Sequence, residues 1–184
     1  RGFLDFIADI QDSLESLDFL GDPEAYEKQE ELRAMEIAAE ALIRYGERHA
    51  LKARDMADRE EDPSRREELL RIAEVCEHVP AHPPRNFWEA IQMYWFVHVG
   101  VVTELNTWDA FNPGHLDHHL ESFYRGGIED GSLTRESAEE LLQCLWVKFN
   151  NHPAPPKVGI TAEESATYTD FAQINTGGLR LDGS

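Results

Sequence analysis

Asn86-Phe87-Trp88-Glu89-Ala90-Ile91-Gln92-Met93-Tyr94-Trp95-Phe96-Val97-His98-Val99-Gly100-Val101-Val102 is the stretch whose reading decides the fold. Asn86 is placed as an N-cap and Glu89, three residues on, as its capping-box partner, because side-chain oxygens there satisfy N–H groups that a first turn leaves unpaired. Beyond the cap, Trp88, Ile91, Tyr94, Trp95, Phe96, Val97 and Val101 fall around most of the circumference of a helix. Such a helix must be covered from several sides, so it belongs inside a larger body. Thr103, Glu104 and Asn106 follow and would deliver polar groups to an interior cavity or an interface.

Upstream the pattern is that of surface helices. Phe3, Ile7, Ile10 and Leu14 recur at helical spacing, and Leu20-Gly21-Asp22-Pro23 stops that helix and starts the next. From about Pro23 to Asp58, Leu32, Met35, Ala39, Leu42, Ile43, Ala50 and Ala53 form one apolar stripe on a long helix. Asp62-Pro63 opens a third helix carrying Leu69, Ile72 and Cys76, which Val79-Pro80-Ala81-His82-Pro83-Pro84 breaks. Downstream, Asn112-Pro113 is expected to cap a helix from His115 to Tyr124 that Gly126-Gly127 ends. Thr134 opens another, with Ser137, Leu141, Leu142, Leu145, Trp146 and Phe149. Pro153-Ala154-Pro155-Pro156 then leads to Ile174-Asn175-Thr176-Gly177-Gly178-Leu179, which has strand composition and glycines suited to close backbone approach.

The fold class read from this pattern is mainly α, with short strands near the C-terminal end. A chain of 184 residues, 41% hydrophobic, is the size of one domain or part of one. Arg1 opens directly on an amphipathic pattern and Leu181-Asp182-Gly183-Ser184 closes on a turn, so a piece of a longer chain is expected. Lys and Arg number 17 against 36 Asp and Glu, a net charge of -19, which disfavours a nucleic-acid backbone or an anionic membrane surface as partner. The apolar run from Ile91 to Val102 is too short to span a bilayer, and no signal peptide is visible. Cys76 and Cys144 lie in helix-patterned segments without CxxC spacing, which points to a reducing compartment, the cytoplasm.

Candidate chemistry is sparse. His115 and His119, at i and i+4, would share a helix face as metal ligands do, yet the general-base Glu of a zinc hydrolase motif and a third ligand are missing, so no metal is expected. Both cysteines read as small buried hydrophobes, since helix interiors with acidic neighbours raise a thiol pKa. His98 reads as a hydrogen-bonded core histidine, and His82 and His152 stand beside prolines without pattern. Tyr168, Asp170, Phe171, Gln173 and Asn175 gather ahead of Gly177-Gly178 and form the best local site candidate.

Three segments taken together, Val79-Pro80-Ala81-His82-Pro83-Pro84-Arg85-Asn86-Phe87-Trp88-Glu89-Ala90, Gly114-His115-Leu116-Asp117 and Gly177-Gly178-Leu179, resemble the glycyl radical enzymes related to pyruvate formate-lyase. Their spacing extends the resemblance over essentially the whole chain. It implies that residues 1–184 are part of a single pyruvate formate-lyase-like domain, mostly the helical outer layer of a ten-stranded α/β barrel built from two five-stranded halves. It implies a thiyl-forming cysteine in a Gly-Cys-Val-Glu type loop and a radical glycine in an Arg-Val-x-Gly type loop. Neither pattern occurs in this sequence, so no catalytic residue is assigned to the chain, and alone it is expected to be inactive.

The resemblance also places an aromatic side chain against the substrate six residues before the Gly-Gly pair. Phe171 holds that position and would shape the cavity and exclude water. It further implies a small-molecule substrate, a glycyl radical outside this chain, a separate S-adenosylmethionine and iron-sulfur activating enzyme, a homodimer at full length, and an anaerobic bacterial source. Glu104-Leu105-Asn106-Thr107-Trp108-Asp109-Ala110-Phe111 and Asn150-Asn151-His152-Pro153-Ala154-Pro155-Pro156-Lys157-Val158-Gly159 look more like the isethionate sulfite-lyase branch than choline lyases or diol dehydratases. That branch breaks a carbon–sulfur bond, abstracting hydrogen from carbon one and expelling sulfite from carbon two. A glycerol- or diol-dehydratase-like enzyme is the alternative within the family, and a non-catalytic helical interaction module the alternative outside it.

Overall fold

The computed structural model describes residues 1–104, 112–151 and 174–177. Their element order is α1 (Phe3–Glu15), α2 (Ala25–Arg59), α3 (Pro63–His78), α4 (Phe87–Glu104), β1 (Gly114–His115), α5 (Leu116–Asp130), α6 (Arg135–Asn151) and β2 (Ile174–Asn175). The chain divides into two compact units, Arg1–Pro84 and Arg85–Ser184. Among the described residues no helix is long and apolar enough to cross a membrane.

In the first unit the chain reverses between α1 and α2 through two aspartates. Asp18 Oδ1 accepts from the Leu20 and Gly21 amides at 3.0 and 2.9 Å, and Asp22 Oδ1 accepts from Glu24 N at 2.9 Å. These bonds hold the bend and leave Pro23 just before the second helix. The buried face of α2 consists of Ala25, Ala39, Gly46, Ala50, Ala53 and Ala57. This corrects the stripe read from the sequence: Met35 is 56% exposed, and the large residues Ile37 and Leu51 also face outward. Small residues at three- and four-residue steps leave a shallow groove, and α3 lies in it through Leu69, Ala73 and Cys76.

The start of α3 follows the sequence reading, with Asp62 Oδ1 accepting from Ser64 N at 3.0 Å and Pro63 in the first turn. Beyond α3, the Val79–Pro80 peptide is cis. The Pro80 and Ala81 carbonyls accept from the Phe3 and Leu4 amides at 2.9 and 3.0 Å. They thereby satisfy two of the donors that the first turn of α1 leaves open.

The second unit is built on α4. Its core joins Phe87, Ala90 and Ile91 of α4 to Leu116 and Leu120 of α5 and to Ala138 and Leu145 of α6, with Tyr94, Trp95, Phe149 and Ile174 against them. Phe96 and His98 are fully buried as well, so α4 is covered on more than one side, as its apolar circumference requires. Asn86 caps the helix as expected, its Oδ1 accepting from Glu89 N at 3.0 Å. The reciprocal arm differs from the expectation. Glu89 Oε2 accepts from the backbone amide of Arg85, at 2.8 Å, and its oxygens also take the Arg85 guanidinium.

Two boundaries need correction. His115 precedes α5 as its N-cap instead of lying inside it, and the helix runs through Gly126-Gly127 to Asp130, ending at Gly131 with φ of +77°. Gly127 sits under the returning chain: Leu133 N donates to Gly127 O at 2.9 Å, and a Cβ there would lie 2.8 Å from Leu133 Cβ. Gly127 therefore admits the turn that follows the helix, and the pair does not stop it. Thr134 then opens α6 through a reciprocal pair, Ser137 N to Thr134 Oγ1 at 3.1 Å and Thr134 N to Ser137 Oγ at 3.0 Å. Trp146, read as core-facing, is 47% exposed.

Candidate functional site

Phe171, with Tyr168, Asp170 and Gln173 beside it, lies outside the described residues, as do Asn106 and Gly178. What the structure places is the frame at the far end of that segment. β2 pairs in parallel with β1, Gly114 opposite Ile174 and His115 opposite Asn175. The paired residues are 60 apart in sequence, so this two-residue ladder is a long-range tie.

Both ends of the ladder require glycine. Gly114 has φ of +66° and Gly177 of +76°, values that L side chains adopt at a cost, while a Cβ at either position would meet nothing within 4 Å among the described residues. Backbone conformation, and not crowding, selects the residue. At Gly114 the chain turns from the Asn112-Pro113 approach into β1; at Gly177 it aims its amide back at α5.

That amide finds Asp117. Asp117 stands in the first turn of α5, and its Oδ2 accepts from Gly177 N at 2.7 Å, a short charge-assisted bond. The Gly177 N–H holds the Asp117 carboxyl below the usual carboxylate range. The position suits an anion independently, since the first turn of a helix carries the positive end of its dipole. Asp117 Oδ1 is shielded from solvent and has no hydrogen-bond partner among the described residues.

The histidines arrange themselves differently from the sequence reading. Because His115 is extended and outside α5, it pairs with His118 rather than His119. The two rings stack with centroids 5.1 Å apart and planes at 18°. Ligand atoms of His115, Asp117 and His118 lie within 4.8 Å of one another. Both rings are exposed, and Asp117 Oδ2 accepts from Gly177 N, so the carboxylate in this cluster anchors the strand.

His98 is a buried core histidine, as its setting in α4 implied. Its Nδ1 is 3.0 Å from Tyr94 Oη, its ring stacks on Trp95 at 5.3 Å, and Phe149 meets it edge-on at 5.0 Å. His82, which carried no pattern in the sequence, stacks on His78 at 5.1 Å. The cysteines part company. Cys76 is buried, and burial pushes its thiol up to about 11, whereas Cys144 is exposed, against the expectation that both are buried. Cys144 has this surface because it lies to one side of the Ala138–Leu145 face of α6. Alkylation of the chain at mildly alkaline pH is therefore expected to modify Cys144 rapidly and Cys76 only on unfolding. Equal rates by peptide mass spectrometry would contradict the assignment.

Both thiols are helical, Cys76 in α3 and Cys144 in α6.

Comparison with known proteins gives a consistent result. The family model for Pyruvate formate lyase-like proteins matches residues 1–184. The trans-4-hydroxy-L-proline dehydratase of Clostridioides difficile is 60% identical over 183 residues, covering all of this chain and 23% of that protein. The isethionate sulfite-lyase of Desulfovibrio desulfuricans is 36% identical over 186 residues, again all of this chain and 22% of that protein. The crystal structure of the Clostridioides difficile hydroxyproline dehydratase with trans-4-hydroxy-L-proline bound superposes with a TM-score of 0.91 over 99% of this chain and 23% of that one. The chain thus spans less than a quarter of the length of these relatives.

Proposed function

This chain belongs to the pyruvate formate lyase-like family of glycyl radical enzymes, and from that premise we propose that it forms part of a radical dehydratase whose substrate is trans-4-hydroxy-L-proline. The observation that carries the proposal is the identity of 60% across the whole chain to a dehydratase of that substrate, against 36% to an isethionate sulfite-lyase. Isethionate carbon–sulfur cleavage, expected from two loop segments, becomes the second reading. Those segments cover few residues, and the match to the dehydratase extends over every element of the chain.

In this reading residues 1–184 are one piece of a single domain and contribute helical outer layer and one wall of the substrate cavity. The wall is the segment ahead of Gly177, with Phe171 packing against substrate. An aromatic side chain there would exclude water and leave the substrate carbon next to the attacking group, which shields a carbon radical from competing reactions. The radical itself, held on a glycine elsewhere in the enzyme, supplies hydrogen-atom abstraction; this chain alone is inactive. A radical S-adenosylmethionine enzyme installs it, and the full enzyme is a cytoplasmic homodimer.

The test uses the full-length enzyme, activated anaerobically and offered trans-4-hydroxy-L-proline. The expected product is lighter than the substrate by one water in the mass spectrum. Sulfite release from isethionate with the hydroxyproline left intact would overturn the proposal.

A further inference from the structure

We propose that His115, Asp117 and His118 bind a divalent transition-metal ion, zinc being the one their donors suit best, and that the ion staples β1 to the start of α5. Ligand atoms of the three residues, one ring nitrogen from each histidine and one carboxylate oxygen, lie within 4.8 Å of one another. Two donors on one tetrahedral zinc ion stand about 3.4 Å apart, at bond lengths of about 2.0–2.2 Å, so movements on the order of 1 Å bring the three into range. The rings can make that movement. Both are exposed and they stack with planes at 18°, so a small rotation about the soft χ2 torsion of each turns one nitrogen toward a common point.

The carboxylate is already oriented for the role. Asp117 Oδ2 accepts from Gly177 N at 2.7 Å, which leaves Oδ1, shielded from solvent and without a hydrogen-bond partner among the described residues. A shielded carboxylate oxygen without a partner is costly, and a cation held beside it by two imidazoles satisfies it. Metal-ligating carboxylates are themselves supported by a hydrogen bond, and Gly177 N supplies one. Two imidazoles and one carboxylate form a zinc donor set, with water completing the tetrahedron, and the exposed rings leave room for that water. Magnesium and calcium, which call for oxygen ligands throughout, fit the set poorly. The positive end of the α5 dipole opposes a cation by less than a full charge, and the Asp117 carboxylate offsets it. Asp117 also supplies the third ligand that is missing when His115 and His119 are counted on one helix. It does so because His115 is extended and meets His118. The ligands stand on two elements: His115 is in β1, opposite Asn175 of β2, while Asp117 and His118 belong to α5. The ion therefore ties a two-residue ladder, weak by its length, to a helix whose Leu116 and Leu120 are in the core.

The experiment titrates Zn2+ into the full-length enzyme before activation, by calorimetry, in an excess of Mg2+ that occupies sites made of carboxylates alone. Hydrogen exchange is followed with and without zinc in peptides spanning residues 112–118 and 174–177. The parent is expected to bind one tight equivalent per chain, and zinc to slow exchange in both peptides. His115→Ala and His118→Ala are each expected to weaken that equivalent by about tenfold or more and to abolish the slowing. Both rings are exposed, so these variants leave the core untouched. Asp117→Asn, which keeps an oxygen for Gly177 N but removes the charge, is expected to weaken binding by a similar factor. His119→Ala, which removes the partner that helical counting would choose, is expected to bind zinc as the parent does. The proposal is overturned if the parent takes up no tight equivalent, if His115→Ala or His118→Ala binds as the parent does, or if His119→Ala is as impaired as they are. Exchange unchanged by zinc in both peptides overturns it too. None of these readouts uses catalysis, so this proposal and the hydroxyproline reading stand or fall separately.

Discussion

Arg85→Ala is expected to destabilise the second unit by about 2–3 kcal/mol, more than an exposed ion pair would account for. Glu89 is fully buried at the start of α4, and its oxygens accept from Arg85 Nη2 at 2.6 Å and from Arg85 Nε at 3.1 Å. Alanine at 85 keeps the backbone amide that also donates to Glu89 but removes a guanidinium from beside a carboxylate in a place water does not reach. Cleaving a fully buried pair this way costs about 3–5 kcal/mol; the Arg85 side chain is 61% exposed, so the pair is partly screened and the lower figure applies. The cost should be recoverable. Arg85→Ala combined with Glu89→Gln removes the buried charge and keeps an oxygen for the backbone amide of residue 85, so the double variant should be more stable than Arg85→Ala alone. All four tryptophans, Trp88, Trp95, Trp108 and Trp146, lie after Arg85, so tryptophan fluorescence during denaturant unfolding reports on this unit. A loss under about 1 kcal/mol, or a double variant no better than the single, would show that the buried charge is not what the arginine serves.

The second large effect is at Gly46. Exchanging a helical glycine for alanine ordinarily adds about 1 kcal/mol of stability. At this position a Cβ would stand 2.7 Å from Pro80 Cδ, 3.0 Å from Val79 O and 3.1 Å from Cys76 O. A proline ring and two carbonyls cannot swing aside as the end of a flexible side chain can. Overpacking of this kind costs about 1–3 kcal/mol, and with contacts this close to backbone the upper end applies, so Gly46→Ala is expected to be net destabilising by about 2 kcal/mol and Gly46→Val by about 3 kcal/mol. Because the first unit holds no tryptophan, the check is the far-ultraviolet circular dichroism midpoint together with hydrogen exchange along α2 and α3. A stabilised Gly46→Ala would mean that α3 and the loop after it do not approach α2 as closely as described.

Much of this architecture was legible in the sequence because it is governed by local rules. Asp62-Pro63, Asn86 and Thr134 each announce a helix start by chemistry confined to a few residues, and each start is found where those residues put it. The all-round apolar pattern of α4 likewise required covering from several sides. Where the reading failed, a partner outside the local motif decided the outcome. Gly126-Gly127 resembles a helix end until Leu133 is seen folding back over Gly127. Glu89 resembles half of a capping box until Arg85 takes its carboxylate. On α2 the buried face is set by which residues let α3 come near, so alanines and Gly46 are inside while Met35 and Ile37 are not.

The candidate site shows the same division. The Gly177-Gly178 pair and the acid of Gly114-His115-Leu116-Asp117 were both singled out, as separate marks of one family. Their hydrogen bond was not legible, since nothing in a single sequence says that residues 117 and 177 meet. A signal did exist: an Asp in a helical first turn, preceded by a glycine able to take positive φ, is a ready acceptor for a backbone amide. The histidines misled for a related reason. Counting i to i+4 presumes that His115 is already helical, and its extended conformation hands the contact to His118.

The central claim is that this chain belongs to a radical enzyme tuned to hydroxyproline. Its most direct measurement is the ratio of kcat/KM for trans-4-hydroxy-L-proline to that for isethionate, taken on one anaerobically activated preparation of the full-length enzyme with its glycyl radical quantified. The account predicts a ratio above about 100 in favour of the hydroxyproline, as expected for a site built to hydrogen-bond one polar substrate and leave another unmatched. A ratio at or below one, with the radical present, would contradict it.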